Sequence, residues 1–227
     1  MNSNEVNKII CGDCMETMRG MGNKSVDLIV TDIPYGEVTK NGAEREKYKG
    51  QLRSINKGDA DIVTFNLLDF IGECARITKG SIYIFCGIEQ VSEIYAFFDN
   101  HNDFMVRQCG WRKTNPSPMN GQHMWESTIE NCIFAKRRKT KFNAVCRPAV
   151  WDYPVARGKV HPTQKPLELI QELIIASSDI GDLVFDPCIG SGTTAVAAIK
   201  TERNFLGCEI SKEYCEVAAE RVMQAAL

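Results

Sequence analysis

Nowhere in the 227 residues do about 18 consecutive apolar residues occur, so the sequence offers no candidate membrane span. The first ten, MNSNEVNKII, lack the basic segment and apolar stretch of a secretion signal. A cytoplasmic protein with no membrane partner is the expectation. Internal repeats and low-complexity segments are absent, which removes solenoid and collagen-like classes. The formal net charge is only −2, too small for an overall field that would draw the chain to nucleic acid. Cys11-Gly12-Asp13-Cys14 is a lone C-x-x-C without a second pair or a nearby histidine cluster, and we assign no metal.

What is present suits an ordinary globular domain. Hydrophobic residues make up 44% and charged residues 25%, and a chain of this length can bury a full core without staples. One domain spanning residues 1–227 is expected. Ten cysteines are scattered through strand-like and helix-like segments, a distribution that reads as reduced, mostly buried thiols.

Strand-like runs recur at NKII, VDLIVT, GSIYIFC, TIENCIFA, GDLVFD and RNFLGCEI, with amphipathic helical patterns at 61–77, 88–99, 165–178, 191–201 and 211–226. Such alternation predicts an α/β fold, a mostly parallel sheet with crossover helices on both faces. Between about 103 and 135 no obvious helix separates the strands, which predicts an antiparallel hairpin at one edge. Two polar or Pro-rich stretches, 36–58 and 136–160, read as inserted loops. The run AKRRKTKF gathers Lys136, Arg137, Arg138, Lys139 and Lys141, and Arg147, Arg157 and Lys159 follow. It reads as a solvated loop unless a partner motif gives it a purpose.

Three strand ends carry chemistry. The apolar run before Asp186 breaks into Pro187, Cys188 and the turn Gly190-Ser191-Gly192, and a helix opens at Thr193 and Thr194. Glycines let backbone approach a ligand, and a helix start offers unpaired N–H groups. Downstream, NFLGCEIS ends another strand at Glu209, the place from which a carboxylate grips ribose hydroxyls. An adenosine-bearing cofactor follows. The dinucleotide fingerprint G-x-G-x-x-G is not met, because IGSGTTA lacks the third glycine. Far earlier, DLIVT ends in Asp32-Ile33-Pro34-Tyr35-Gly36.

Asp186-Pro187 with the Gly190 to Thr194 turn, preceded by HPTQKP at 161–166 and by TDIPYG, resembles the S-adenosylmethionine-dependent DNA amino-methyltransferases of the circularly permuted β group. The catalytic motif there precedes the cofactor motif, as it does here, and the likeness runs from GDCMETM to the last helix. It implies a Rossmann-like methyltransferase fold with a seven-stranded sheet. By resemblance, the Asp32 carboxylate and the Ile33 carbonyl accept the two hydrogens of an exocyclic amine. Pro34 fixes the turn, and Tyr35 stacks on a base flipped out of the duplex. Ile33 stands where the family has a proline.

The same resemblance assigns Asp13 to the adenine amine and Glu209 to the ribose. Asp186, Gly190, Ser191, Gly192 and Thr193 are assigned to the methionine side, and Thr163, Gln164 and Lys165 to its carboxylate end. His161 reads as structural. Cys188 reads as a packing residue, since its Pro-Cys pair lies in the cofactor turn and not at the base-binding strand. DNA is the implied partner, with Lys113, Asn115, Lys136, Arg137, Arg138 and Lys139 as contacts and the two inserted loops as the DNA-facing regions; Trp111 fits either core or a stacking platform. Members of the permuted group often dimerise, and a homodimer is left open. No nuclease or helicase motif is present, so any cleavage partner would be a separate chain, and membership of a restriction-modification system or an orphan role are both left open. Asp at the first catalytic position favours N6 of adenine. N4 of cytosine and a non-catalytic cofactor- or DNA-binding module stay as alternatives.

Overall fold

The computed structural model describes residues 6–35, 65–117, 123, 125–156 and 164–227. Along the chain lie β1 (Lys8–Cys11), α1 (Cys14–Gly20), β2 (Val26–Asp32), α2 (Leu67–Ile77), β3 (Thr78–Cys86), α3 (Ile88–Asp99), β4 (Phe104–Lys113), β5 (Ile129–Arg137), β6 (Val150–Tyr153), α4 (Leu167–Ser177), β7 (Leu183–Asp186), α5 (Thr193–Lys200), β8 (Asn204–Glu209) and α6 (Lys212–Ala225). Side-chain caps fix several helix starts. Asp13 accepts from the Met15 N–H at the head of α1, Asn66 does so for α2, and Ser211 for α6.

The strands form one sheet in the order β1-β8-β7-β2-β3-β5-β4-β6. From β1 to β3 every pairing is parallel. Strand β5 then runs antiparallel to both β3 and β4, and β6 pairs parallel with β4. Val26, Leu28, Ile29 and Val30 of β2 are buried, as expected of a central parallel strand covered on both faces. On one face α1, α2 and α3 pack Met18, Phe70, Ile71 and Phe98 against the sheet. On the other, α4 and α5 supply Leu169, Leu173, Ala195 and Ala198.

This topology gathers the strand ends that matter. The carboxyl ends of β1, β8, β7, β2 and β3 all lie along one rim of the sheet, with Cys11 opposite Glu209, Asp186 opposite Gly207 and Asp32 opposite Phe85. Between β7 and β2 the chain departs in opposite directions, through α5 on one face and toward α2 on the other. Such a reversal opens a crevice beyond the strand ends, where α/β proteins bind ligands.

Three features depart from the sequence expectation. The sheet has eight strands and not seven. The extra one, β6, falls inside the 136–160 stretch read as a loop, and it makes β6, not the β4–β5 hairpin, the outer edge on that side. VWDY, four residues between Pro148 and Pro154, is too short to show strand periodicity; its partner β4 supplies the order. Cys11 and Cys215 form a disulfide joining β1 to α6, whereas the other eight cysteines are free and six of those are buried. Their meeting depends on the packing of α6 on β1, across 204 residues of sequence. The 36–58 segment lies outside the described residues.

Gly192 has φ +84°, and a Cβ there would sit 3.0 Å from the Ala218 Cβ of α6. A side chain is therefore opposed both by the left-handed backbone and by the helix packed on it. Gly192→Val should lose about 2–3 kcal/mol of stability in urea titration.

Candidate active site

A single cleft on that rim is lined by Asp13, Asp32, Ile33, Pro34, Tyr35, Gln164, Lys165, Asp186, Gly190 and Glu209, among others. Segments separated by more than half the chain thus share one cavity.

At its β2 end, Asp32 finishes the strand. Its Oδ2 accepts from Lys165 Nζ at 2.5 Å, while its Oδ1 is buried and has no hydrogen-bond partner among the described residues. Burial pushes the Asp32 carboxyl above its ordinary value, against the pull of the Lys165 ammonium. Lys165 is 5% exposed and also pairs with Glu130 Oε2 at 3.1 Å. Burial works against its charge, yet Asp32 and Glu130 prevail and raise its pKa. Glu130 is held by Lys165 and by Lys113, 2.8 Å away. Burial favours its neutral form, but the two ammoniums bring its pKa down to about 2.

The turn after Asp32 is clamped from α3. Gln90 donates from Nε2 to the Pro34 carbonyl at 3.1 Å and accepts from the Gly87 N–H at 2.9 Å. The Ile33 N–H donates to the Phe85 carbonyl at 3.2 Å, so isoleucine extends the β2–β3 pairing by a bond that proline could not make. Its side chain is buried in the core. The Tyr35 hydroxyl donates to Glu130 Oε2 at 3.2 Å and accepts from Lys165 at 3.3 Å.

At the β7 end the carboxylates brace the turn. Asp186 accepts from the Cys188 N–H at 3.0 Å and from the Thr194 hydroxyl at 2.6 Å, and burial raises its pKa to about 7. Glu209 accepts from the N–H groups of Gly190 and Ser211, at 2.9 and 2.8 Å, and burial raises it too. Arg221 of α6 grips the Ser191 carbonyl and hydroxyl from behind. Gly192 packs on Ala218 and does not line the cleft. Asp13, whose Oδ1 caps α1 at 2.6 Å, stands beside Glu209 because the Gly12 N–H donates to the Glu209 carbonyl. Cys188 is half-buried against Cys14, and that contact and burial push its thiol well up, which does not favour a thiolate nucleophile.

Several sequence assignments change place. Lys165 points to Asp32 and Glu130, at the β2 end of the cleft, and not to the glycine turn. Thr163 and His161 lie outside the described residues, as do Arg157 and Lys159. The basic run is not brought to the cleft: Lys136 pairs with Ser81 near the start of β3, whereas Asp32 pairs with Phe85 near its end. Lys136 is 7% exposed. Arg137 donates to the carbonyls of Ala75 and Thr78 and pairs with Asp103, and Arg138 donates to the Asn102 carbonyl. Lys139 is an exposed turn residue with φ +67°. Asn115 pairs with the backbone of Val155, and Trp111 is core, its Nε1 donating to the Tyr153 carbonyl at 2.8 Å. Glu130 had no signal in the sequence, because its place depends on β5 running antiparallel beside β3.

A switch-point cleft that joins a strand-end Asp-x-Pro-Tyr to an acidic, glycine-lined pocket is the arrangement the methyltransferase resemblance implies. A DNA methylase family model, N6_N4_Mtase, matches residues 26–220, and the chain belongs to that family. It is 30% identical to the type II methyltransferase M.HinfI of Haemophilus influenzae, over 96% of this chain and 69% of that protein. It is 29% identical to M2.MboI of Moraxella bovis, over 92% and 85%. Among solved structures, the M1.HpyAVI complex with S-adenosylmethionine superposes with a TM-score of 0.70 at 28% identity, covering 94% of this chain and 98% of that one. PvuII methyltransferase, cytosine-N4-specific, shares the fold at 0.73 with 18% identity. The protein is a DNA amino-methyltransferase that uses S-adenosylmethionine. The cleft suits that cofactor: carboxylates at Asp13 and Glu209 can accept from an amine and from hydroxyls, each oxygen having lone pairs beyond its present bond, and the turn leads into the start of α5. No described helix is long and apolar enough to cross a membrane.

Two outcomes follow. The folded Asp186 carboxyl titrates near 7 and an unfolded one near about 4. The native state therefore binds the extra proton, and stability falls as pH rises through that window. Asp186→Asn should show a smaller loss than the wild type between pH 5 and pH 8 in urea unfolding. Arg137→Ala should cost about 2 kcal/mol while leaving the salt dependence of DNA binding unchanged, since its guanidinium serves carbonyls and not phosphates.

Proposed function

We propose that the enzyme methylates N6 of adenine in a short DNA site, by direct transfer to a base flipped into the cleft. The observation that carries this reading is the buried Asp32 Oδ1, without a partner among the described residues, in the same cavity as the Gly190 turn. A buried acceptor without a donor is costly, and an exocyclic amine supplies one. Aspartate at this position favours adenine by family resemblance.

The bound cofactor supplies an electrophilic methyl group on a sulfonium. Asp32 accepts one amine hydrogen at Oδ1, and the Ile33 carbonyl accepts the other, drawing the nitrogen lone pair out of conjugation with the ring. Lys165 on Oδ2 offsets part of the burial that raises the Asp32 pKa and leaves Oδ1 for the amine. Tyr35 offers its ring face to the flipped base. Glu209 and Asp13 would hold the nucleoside part of the cofactor, and Asp186, Gly190, Ser191 and Thr193 would shape the wall beside its methionine part, with Gln164 facing the same cavity.

For DNA contact the reading rests on the segments joined to the cleft. Residues 36–58 begin directly after Tyr35, and the 136–160 stretch leads toward Gln164 and Lys165. Both are candidates for reading sequence, in one domain that includes them.

Purified enzyme, tritiated S-adenosylmethionine and unmethylated DNA, followed by digestion to nucleosides, test the reading. Label in N6-methyladenine is expected, reduced about 10²-fold or more in Asp32→Ala. Label in N4-methylcytosine would transfer the same chemistry to the other base, and no label above the variant would overturn catalysis.

A further inference from the structure

We infer that Glu130 is a positioning residue for the target base, acting through Tyr35 and Lys165. The inference rests on the proposed base-flipping reading. Glu130 enters from β5, opposite Trp111 of β4. Asn131, the next residue, pairs with Cys86, the last of β3. Its side chain therefore reaches the rim just where Asp32 and Tyr35 leave β2.

Its two oxygens divide the work. Oε1 takes Lys113 at 2.8 Å; Oε2 takes Lys165 at 3.1 Å and the Tyr35 hydroxyl at 3.2 Å. Lys113, Glu130, Lys165 and Asp32 thus form a row of alternating charges, and Glu130 links both ammoniums of the row to the Tyr35 hydroxyl. A buried ammonium between two carboxylates is held in place, and removal of one leaves it to the other alone.

The effect on Tyr35 is geometric. At the backbone end the ring is fixed by Gln90, which holds the Pro34 carbonyl, and by Gly87, where any Cβ would lie 3.3 Å from the Tyr35 Cβ. At the hydroxyl end it is held by Glu130 and by Lys165, which Glu130 itself positions. An aromatic plane secured at both ends can receive a base without first being ordered, which removes an entropic cost from binding. Without Glu130 the hydroxyl loses this acceptor and the Lys165 beside it loses one of its two carboxylates, so the ring keeps its backbone anchor but loses its setting. A displacement near 1 Å of such a group costs about 10²-fold in rate.

The test compares Glu130→Gln, Glu130→Asp and Glu130→Ala with the wild type. Cofactor affinity, measured by calorimetry, should stay unchanged in all three, because Glu130 does not line the cofactor pocket. The kcat should fall about 10²-fold in Glu130→Ala and less in Glu130→Gln, which keeps an acceptor for the tyrosine, with partial recovery in Glu130→Asp. DNA carrying 2-aminopurine at the target position should fluoresce more strongly with Glu130→Ala than with the wild type, as a flipped base that lacks its stacking partner. Tyr35→Phe combined with Glu130→Gln should be no slower than the slower single variant, the sign of a shared path.

A uniform loss of cofactor affinity and of kcat, or fully additive effects in the double variant, would make Glu130 a general structural residue and overturn the inference. So would unchanged kcat in Glu130→Gln and Glu130→Ala with an active wild type, which would leave the methyltransferase reading standing. An inactive wild type would overturn that reading and this inference with it. Should Glu130→Ala fail to fold, Glu130→Gln, nearly isosteric, still decides through its kcat and its coupling to Tyr35→Phe.

Discussion

Parallel pairing between β2 and β7 is the constraint on which the site depends. Leu28 lies opposite Val184 and Ile29 opposite Phe185, so two strands far apart in sequence end side by side, roughly 5 Å apart. Everything reactive then hangs from their ends: Asp32 and its turn from one, Asp186 and the glycine bend from the other. Both strands are buried on both faces, which pins their register through the fit of Leu28, Ile29, Val184 and Phe185 into the two cores. A slip of one residue would turn those side chains over and move the two motifs out of line.

Around this pairing the protein uses carboxylates for two purposes. Asp186 and Glu209 spend oxygens on backbone N–H groups and a hydroxyl, and so shape the turn. Asp32 keeps one oxygen in reserve, with the other on Lys165. The contrast is physical. A carboxylate that already braces its own loop offers a ligand only its remaining lone pairs, whereas an oxygen left without any donor in a cleft calls for one. Lys165, compressed among Asp32, Glu130 and the rings of Tyr35 and Phe85, makes the second condition tolerable.

Much of this was legible in the sequence because strand-end acids announce themselves. An apolar run that terminates in Asp32, Asp186 or Glu209 gives both the element and the rim residue, and the Gly190 turn gives the helix that follows. Helix α1 and strand β6 were missed, being short and defined by a cap or by a partner strand and not by periodicity. Glu130 could not be found, since it sits mid-pattern in TIENCIFA and gains meaning only when β5 turns antiparallel to β3. The basic run misled for a related reason. Local charge density does not reveal nearby carbonyls, and Arg137 is drawn to those at the end of α2. Lys165 was legible as important, but its direction required the fold.

The role of Ile33 also emerges only from pairing. Its amide closes one more rung beside Phe85, so rigidity that a proline ring would provide comes here from the sheet, from Pro34 and from Gln90. The central claim, that one cavity joins a methyl donor site to a base site, is tested most directly by a crystal structure of the enzyme with S-adenosylhomocysteine and target DNA. The account predicts an extruded base between the Tyr35 ring and the cofactor sulfur, its amine on Asp32 Oδ1 and the cofactor along the Gly190 turn. A base held elsewhere on the surface, or a cofactor outside the Gly190 to Glu209 wall, would contradict it.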